Sequence, residues 1–290
     1  MNQAISMQFR TPPGTLSQYL RALFARGKGQ AEPEFPAIDA LLRGVRPDPA
    51  KVQAYARVCG FNPQNNWLPL TYPHILAFPL HMELMLHKDF PLPLMGLVHV
   101  RNSIQQRRRI RPDETLDIRA RLSSGRQTDK GTEFDIVTEV SSGGVIIWTS
   151  ISTNLYRRKS SAGTAARKVP SVPESFTNSE NWALPGSLGR QYARVSGDSN
   201  PIHLHPFAAR LFGFKRHIAH GMWSKARIAA ALESKAGEGT VSLTTDFRLP
   251  VFLPAQVEFC YSRDDGNGEV RFELRSPGGD KVHVRGTLAR

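Results

Sequence analysis

The chain repeats itself, and that repeat limits what it can fold into. Tyr55-Ala56-Arg57-Val58-Cys59-Gly60 recurs as Tyr192-Ala193-Arg194-Val195-Ser196-Gly197. Each copy places apolar residues at helical spacing and a glycine where the helix must stop. Each then runs through an irregular stretch, an apolar helix and a series of short strands. In the first copy the helix spans Tyr72 to Leu86, with Pro73 near its start and Pro79 expected to kink or break it. Strands follow at about 97–104, 114–122, 132–140 and 145–156, with turns at Gly125–Gly131 and Ser141-Ser142-Gly143-Gly144. In the second copy the helix covers about 221–233 and the strands about 241–249, 255–263, 268–275 and 281–288. The hairpin turns there are Asp264–Gly268 and Pro277–Asp280. Arg111-Pro112 and Leu253-Pro254 hold matching places in the two copies. Two copies of one helix-plus-antiparallel-sheet unit explain 290 residues better than two unrelated domains. The expected class is therefore α+β.

The flanking stretches differ in character. Residues 157–181 carry almost no large apolar side chains and many Ser, Ala, Pro and Lys, the composition of a linker. Residues 1–30 hold Arg10, Arg21, Arg26 and Lys28 and no acid, as a transit peptide would. Leu16, Tyr19, Leu20 and Leu23 nevertheless recur at helical spacing, which predicts a short amphipathic arm packed on the body. Residues 31–50 read as a loop with one short element. The expected organisation is an arm at 1–50, a repeat at 51–156, the linker at 157–181 and a second repeat at 182–290.

Composition excludes several functions. No apolar run approaches the roughly 18 residues of a membrane span. Cys59 and Cys260 stand far apart, outside any ligand spacing, so a reducing, cytoplasmic setting is expected and no disulfide framework. The formal charge of +13 calls for an anionic partner. No recognition helix, zinc finger or aromatic strand signature accompanies it, so that partner is not expected to be nucleic acid. Arg107, Arg108 and Arg109 form the densest basic run.

The copies part company after the shared motif. Asp198, Asn200 and His203 of the second align with Phe61, Pro63 and Asn66 of the first. The first copy thus keeps the scaffold and lacks the ionisable groups. A carboxylate and an imidazole within six residues, across a proline turn, can face one water as a general acid–base pair. The Asn200 amide suits the turn itself. His220-Gly221 then opens an apolar helix, whose first N–H groups form a ready site for a developing oxyanion. Each residue also has a plainer reading. Asp198 and Asn200 serve as turn and cap residues in many chains. His203-x-His205, His217 and His220 match no familiar metal spacing, so no metal is expected. His205 and His217 read as surface or supporting residues. Met222, Ala226, Ala229 and Ala230 read chiefly as helix core.

Ser196-Gly197-Asp198-Ser199-Asn200-Pro201-Ile202-His203, followed by Ala219-His220-Gly221-Met222, resembles the MaoC-like or (R)-specific enoyl-CoA hydratase family. The resemblance covers about 188–290 well, and 50–156 resembles the silent half of double hot-dog members. It implies a double hot-dog fold, two repeats of a central helix wrapped by an antiparallel sheet. It implies reversible hydration of a trans-2-enoyl thioester to a (3R)-hydroxyacyl thioester, with no cofactor. The family's catalytic aspartate and histidine fall on Asp198 and His203, its oxyanion glycine on Gly221 and its turn asparagine on Asn200. Ser196 and His220 are supporting candidates. Lys215, Arg216, Met222 and Trp223 are candidates for binding substrate, and the basic excess suits coenzyme A phosphates or an acidic acyl carrier protein. Where the family often has proline this chain has His217, and Ala229 stands where some members carry serine. A fused double repeat already supplies the pairing that single-copy members obtain by dimerising, so a further homodimer is optional. Thioester hydrolysis, or mere binding of acyl-CoA or nucleic acid, are the competing readings. Hydrolysis would need an acid on the central helix, and Glu233 lies too near its end.

Overall fold

Strand order repeats as faithfully as the sequence motif. The computed structural model describes residues 5–24, 33–94, 96–157, 176–264, 266 and 268–290. The first half runs β1 (Ile5–Phe9), α1 (Thr15–Phe24), β2 (Ile38–Val45), α2 (Pro49–Cys59), α3 (Tyr72–Leu86), β3 (Leu97–Gln106), β4 (Leu116–Leu122), β5 (Arg126–Thr128), β6 (Gly131–Ser142) and β7 (Val145–Arg157). The second runs β8 (Asn178–Leu184), α4 (Leu188–Ser196), α5 (Pro201–Leu204), α6 (Pro206–Leu211), α7 (Gly221–Ala231), β9 (Val241–Phe247), β10 (Ala255–Tyr261), β11 (Glu269–Arg275) and β12 (Val282–Ala289). The first half orders its strands β2-β4-β6-β7-β3, and the second orders the equivalent strands β8-β10-β11-β12-β9. Each half is a hot-dog repeat. The two join where β3 and β9 pair antiparallel, with Arg101 opposite Asp246 and Gln106 opposite Val241, so one sheet runs through both.

Period-two alternation turns one face of that sheet inward. Along β4 Leu116, Ile118, Ala120 and Leu122 are buried, and along β6 Phe134, Ile136 and Val140 are. Helix α3 packs on β2, β4 and β6. Its Tyr72, Ala77, Leu80 and Leu84 are buried, as a helix enclosed on most sides requires. Pro79 lies within α3, so of the expected kink or break the break does not occur. Packing on three strands outweighs the backbone hydrogen bond lost at one proline. The shared motif forms α2 and α4, which pack together with the Tyr55 and Tyr192 rings 6.1 Å apart. Gly60 and Gly197 end these helices at φ of 81° and 76°, a conformation that strains any residue with a Cβ.

Two boundaries differ from expectation. Strand β2 lies inside 1–50, and β8 begins inside 157–181, so each repeat starts one strand earlier than read. Hydrogen bonding to β4 and to β10 claims these strands for the sheet. The rest of the linker reading, over 158–175, lies outside the described residues. The arm is helical at α1, and of the face read as apolar Tyr19 turns inward while Leu20 does not. Leu20 is 54% exposed, whereas Gln18 and Ala22 are buried; the side chains of Leu16 and Leu23 lie outside the described residues. Polar anchors decide the orientation of α1. Gln18 Nε2 donates to the Pro79 carbonyl (2.8 Å) and to Glu83 Oε1 (2.9 Å), and Arg21 pairs with Glu83 at 2.8 Å.

The second central helix is tied to the seam by a lysine. Lys225 is fully buried, and its Nζ donates to the Asn102 carbonyl (2.7 Å), Asn102 Oδ1 (2.6 Å) and the Leu243 carbonyl (2.8 Å). Three donors meet three acceptors, so its hydrogen-bonding capacity is full. Asn102 passes the link to β7 through Ser150 and Ser152, both at 3.0 Å. Lys225→Met is expected to lower unfolding free energy by about 3 kcal/mol in urea denaturation, because buried acceptors lose their donor. Wild-type stability in that variant would refute the role.

Candidate active site

The end of α4 and the short helix α5 are built by local hydrogen bonds. Gly197 stops α4; the Asp198 N–H then donates to Ser196 Oγ at 3.1 Å and the Asn200 N–H to Asp198 Oδ1 at 3.2 Å. Asn200 Oδ1 accepts from the Ile202 N–H at 3.3 Å and caps α5, with Pro201 at its first position. This turn brings His203 back beside Asp198. His203 is buried, and its Nδ1 bonds the Ile218 carbonyl at 2.8 Å. A carbonyl only accepts, so Nδ1 carries the proton and neutral His203 keeps a lone pair at Nε2.

His220, the residue before α7, stacks on His203 with ring centroids 3.7 Å apart. Its Nε2 donates to the Asp198 carbonyl oxygen at 3.0 Å and lies 3.9 Å from Asp198 Oδ2. One side-chain atom from each of Asp198, His203 and His220 falls within 4.8 Å of the other two, a spacing that one bridging water spans. Three such groups could in principle hold a metal. A metal bound to imidazole lies in the plane of the ring, and two stacked rings aim their lone pairs along near-parallel planes, which suits a single ion poorly.

Burial holds the His203 pKa below its ordinary value and that of His220 down to about 3, so both imidazoles are neutral near neutral pH. Burial pushes the Asp198 pKa upward most strongly. The attraction of the two histidines, the Tyr19 hydroxyl and the Asn200 N–H outweigh it and leave the carboxyl below its usual value. The site is thus poised as a carboxylate beside a neutral imidazole. Helix α7 begins at Gly221 with no side chain capping it, so its leading N–H groups stay available. A Cβ at Gly221 would meet the Phe247 ring at 3.1 Å.

A second contact to the carboxylate comes from far away in sequence. Tyr19 Oη donates to Asp198 Oδ1 at 2.7 Å across 179 residues. Sequence reading put Tyr19 on an amphipathic arm, and no local spacing tied it to the site.

A family model for the MaoC like domain matches residues 175–276, which contain Asp198, His203, His220 and Gly221 but not Tyr19. The chain is 34% identical to 3-hydroxyacyl-thioester dehydratase X of Mycobacterium tuberculosis, covering 96% of this chain and 99% of that protein. The chain belongs to the MaoC-like dehydratase family. It is accordingly an enzyme of the hydro-lyase type. Within the family it is also 36% identical, over 26% of its length and 60% of the other's, to an (R)-specific enoyl-CoA hydratase of Aeromonas caviae. The crystal structure of HtdX from M. tuberculosis superposes with a TM-score of 0.74 at 33% identity, covering 86% of this chain and 98% of that one. A MaoC-like dehydratase from Phytophthora capsici shares the fold with a TM-score of 0.69 at 21% identity.

Other candidates from the sequence are placed elsewhere. Trp223 is buried, and its Nε1 donates to the Val58 carbonyl at 3.0 Å, which pins α7 to α2 of the other repeat. Met222 is buried in the same core. Lys215 and Arg216 are exposed after α6. His217 is buried with Nε2 donating to the Gly186 carbonyl at 2.8 Å, rather than lying on the surface, and His205 caps α6 through the Phe207 N–H. Of the basic run, Arg108 is paired with Glu114 at 2.7 Å and Arg109 stacks over Trp67 at 3.8 Å, so both have structural partners. Glu233 lies past the end of α7, where Asn65 and Trp67 donate to it at 3.1 and 3.2 Å. In the first copy Phe61 is buried core and Asn66 is exposed.

Proposed function

We propose that the chain catalyses reversible hydration of a trans-2-enoyl thioester to a (3R)-hydroxyacyl thioester, with Asp198 and His203 as the acid–base pair and the Gly221 N–H as oxyanion donor. The observation that carries the proposal is the carboxylate beside a neutral imidazole with a free Nε2, next to the uncapped start of α7. In the hydration direction one water sits between Asp198 and His203. The pair takes a proton as the hydroxyl adds to C3. Charge moves to the thioester oxygen, where the N–H at the head of α7 receives it. The pair then returns a proton to C2. The two groups titrate together, so neither step belongs to one residue alone.

The relatives' names support the thioester substrate: one acts on 3-hydroxyacyl thioesters and another on enoyl-CoA. Exposed Lys215 and Arg216 are the proposed contacts for coenzyme A phosphates or for an acidic carrier protein. The second repeat is the catalytic one and the first is silent, with the chain active without further assembly. Two buried free cysteines suit a reducing, cytoplasmic setting. Hydrolysis of the thioester is disfavoured, because Glu233 is held by Asn65 and Trp67 beyond the helix.

Crotonyl-CoA tests the reading directly. The conjugated absorbance should fall as a hydroxyacyl product forms, whereas release of free thiol would point to hydrolysis. The pH profile supplies a further expectation. Lowered pKa values keep the imidazole neutral and the carboxylate charged at neutral pH. The hydration rate should therefore hold constant down through the ordinary imidazole range and fall only at more acidic pH. A fall centred on an unshifted histidine would contradict this charge state.

A further inference from the structure

The arm that precedes the first repeat reaches into the catalytic turn of the second. Helix α1 lies on α3, held by Gln18 and Arg21 on Glu83. Its first residue, Thr15, sits so close to Gly197 that a Cβ there would meet Thr15 Cγ2 at 3.2 Å. One turn on, Tyr19 Oη donates to Asp198 Oδ1 at 2.7 Å, the same oxygen that accepts from the Asn200 N–H at 3.2 Å.

We propose that Tyr19 is a positioning residue for the reaction: its hydroxyl fixes the Asp198 carboxylate, holding Oδ1 so that Oδ2 alone is turned to the reacting water. This rests on the reading of Asp198 as half of the acid–base pair. The groups that face Asp198 are Tyr19 on α1, His203 on α5, His220 before α7, Tyr192 on α4 and His99 on β3. Burial keeps both tyrosines and His99 uncharged near neutral pH, as it does the other histidines. The attraction of the two histidines acts on the carboxylate as they become charged at acidic pH, and near neutral pH, with the imidazoles neutral, it contributes little. What remains are hydrogen bonds, from the Asn200 N–H and the Tyr19 hydroxyl. A hydrogen bond to the charged form favours that form, so its loss raises the carboxyl pKa. The arm therefore serves catalysis in addition to extending the sheet edge through β1, which pairs parallel with β2.

Tyr19→Phe keeps the ring and removes only the hydroxyl. Three results are expected with crotonyl-CoA, each sized by the loss of one hydrogen bond to a charged group. The acidic limb of the kcat profile moves up by about one pH unit, kcat at neutral pH falls about tenfold, and KM changes little. A fluorotyrosine at the same position, which retains a hydroxyl, restores both the limb and the rate. Leu20→Ala, on the exposed side of the same helix, leaves both unchanged. Thermal melting is followed for all variants. A lower kcat with an unmoved limb would mean a packing role and overturn the proposal, as would full activity of Tyr19→Phe beside an inactive Asp198→Asn. Full activity of Asp198→Asn would instead overturn the reading of the site.

Discussion

Exchanging Asp198 for Asn is expected to lower kcat for enoyl-thioester hydration by about 100- to 10,000-fold, the range that a positioned general acid or base contributes. The amide nearly preserves the shape of the turn. One oxygen can still accept from the Asn200 N–H and the Tyr19 hydroxyl, as Asp198 Oδ1 does at 3.2 and 2.7 Å. What disappears is the charge and the second acceptor facing the water. Substrate binding should change little, so the loss should appear in kcat rather than KM. The pair acts as a unit, and His203→Gln added to Asp198→Asn should therefore cost much less than the product of the two single effects. Initial rates of the two single variants and the double variant decide this. Independent, multiplying effects would mean that the two side chains do not share one water.

Gly189→Ala should disable the enzyme without touching any reacting group. A Cβ at Gly189, in the first turn of α4, would lie 1.9 Å from the backbone carbonyl oxygen of His203. Backbone cannot rotate aside as a side chain would, so α4 and α5 must separate. Overpacking of this kind costs about 1–3 kcal/mol. The displacement falls on the residue whose Nδ1 must reach the Ile218 carbonyl at 2.8 Å. A misplacement of about 1 Å in a catalytic group can cost on the order of 100-fold in rate. Urea denaturation and initial rates on one preparation should thus show a modest stability loss with a much larger activity loss. Unchanged activity would show that α5 tolerates displacement and that the His203 position is not critical.

Much of this was legible because it is local. Hydrophobic spacing located α2, α3, α4 and all eight strands of the two meanders, apart from short shifts at their ends. Turn chemistry located the glycine that stops each motif helix. The turn proposed to be catalytic was legible for the same reason: Asp198, Asn200 and His203 are joined by contacts within one turn of chain. Where the reading failed, a distant partner outweighed a local preference. Pro79 was expected to kink or break its helix, and the break does not occur where three strands hold the helix together. Leu20 was read with the apolar face of the arm but is exposed, while Gln18 and Arg21 anchor the helix through Glu83. No local pattern foretold that Trp223, read as a substrate candidate, also bonds the Val58 carbonyl in the other repeat.

From the sequence alone came the two repeats, their helix-and-meander content, the single ionisable turn and the family that turn resembles. All rest on periodicities and motifs a few residues long. Tertiary structure decided how the repeats join, through β3 against β9, and which strands begin them. It decided that Lys225 spans the seam, and that Tyr19 closes on Asp198 from the far end of the chain. Such contacts leave no periodic trace. They exist only once burial has brought segments together, and a hydroxyl 179 residues from a carboxylate carries no mark of that partnership until the fold supplies it.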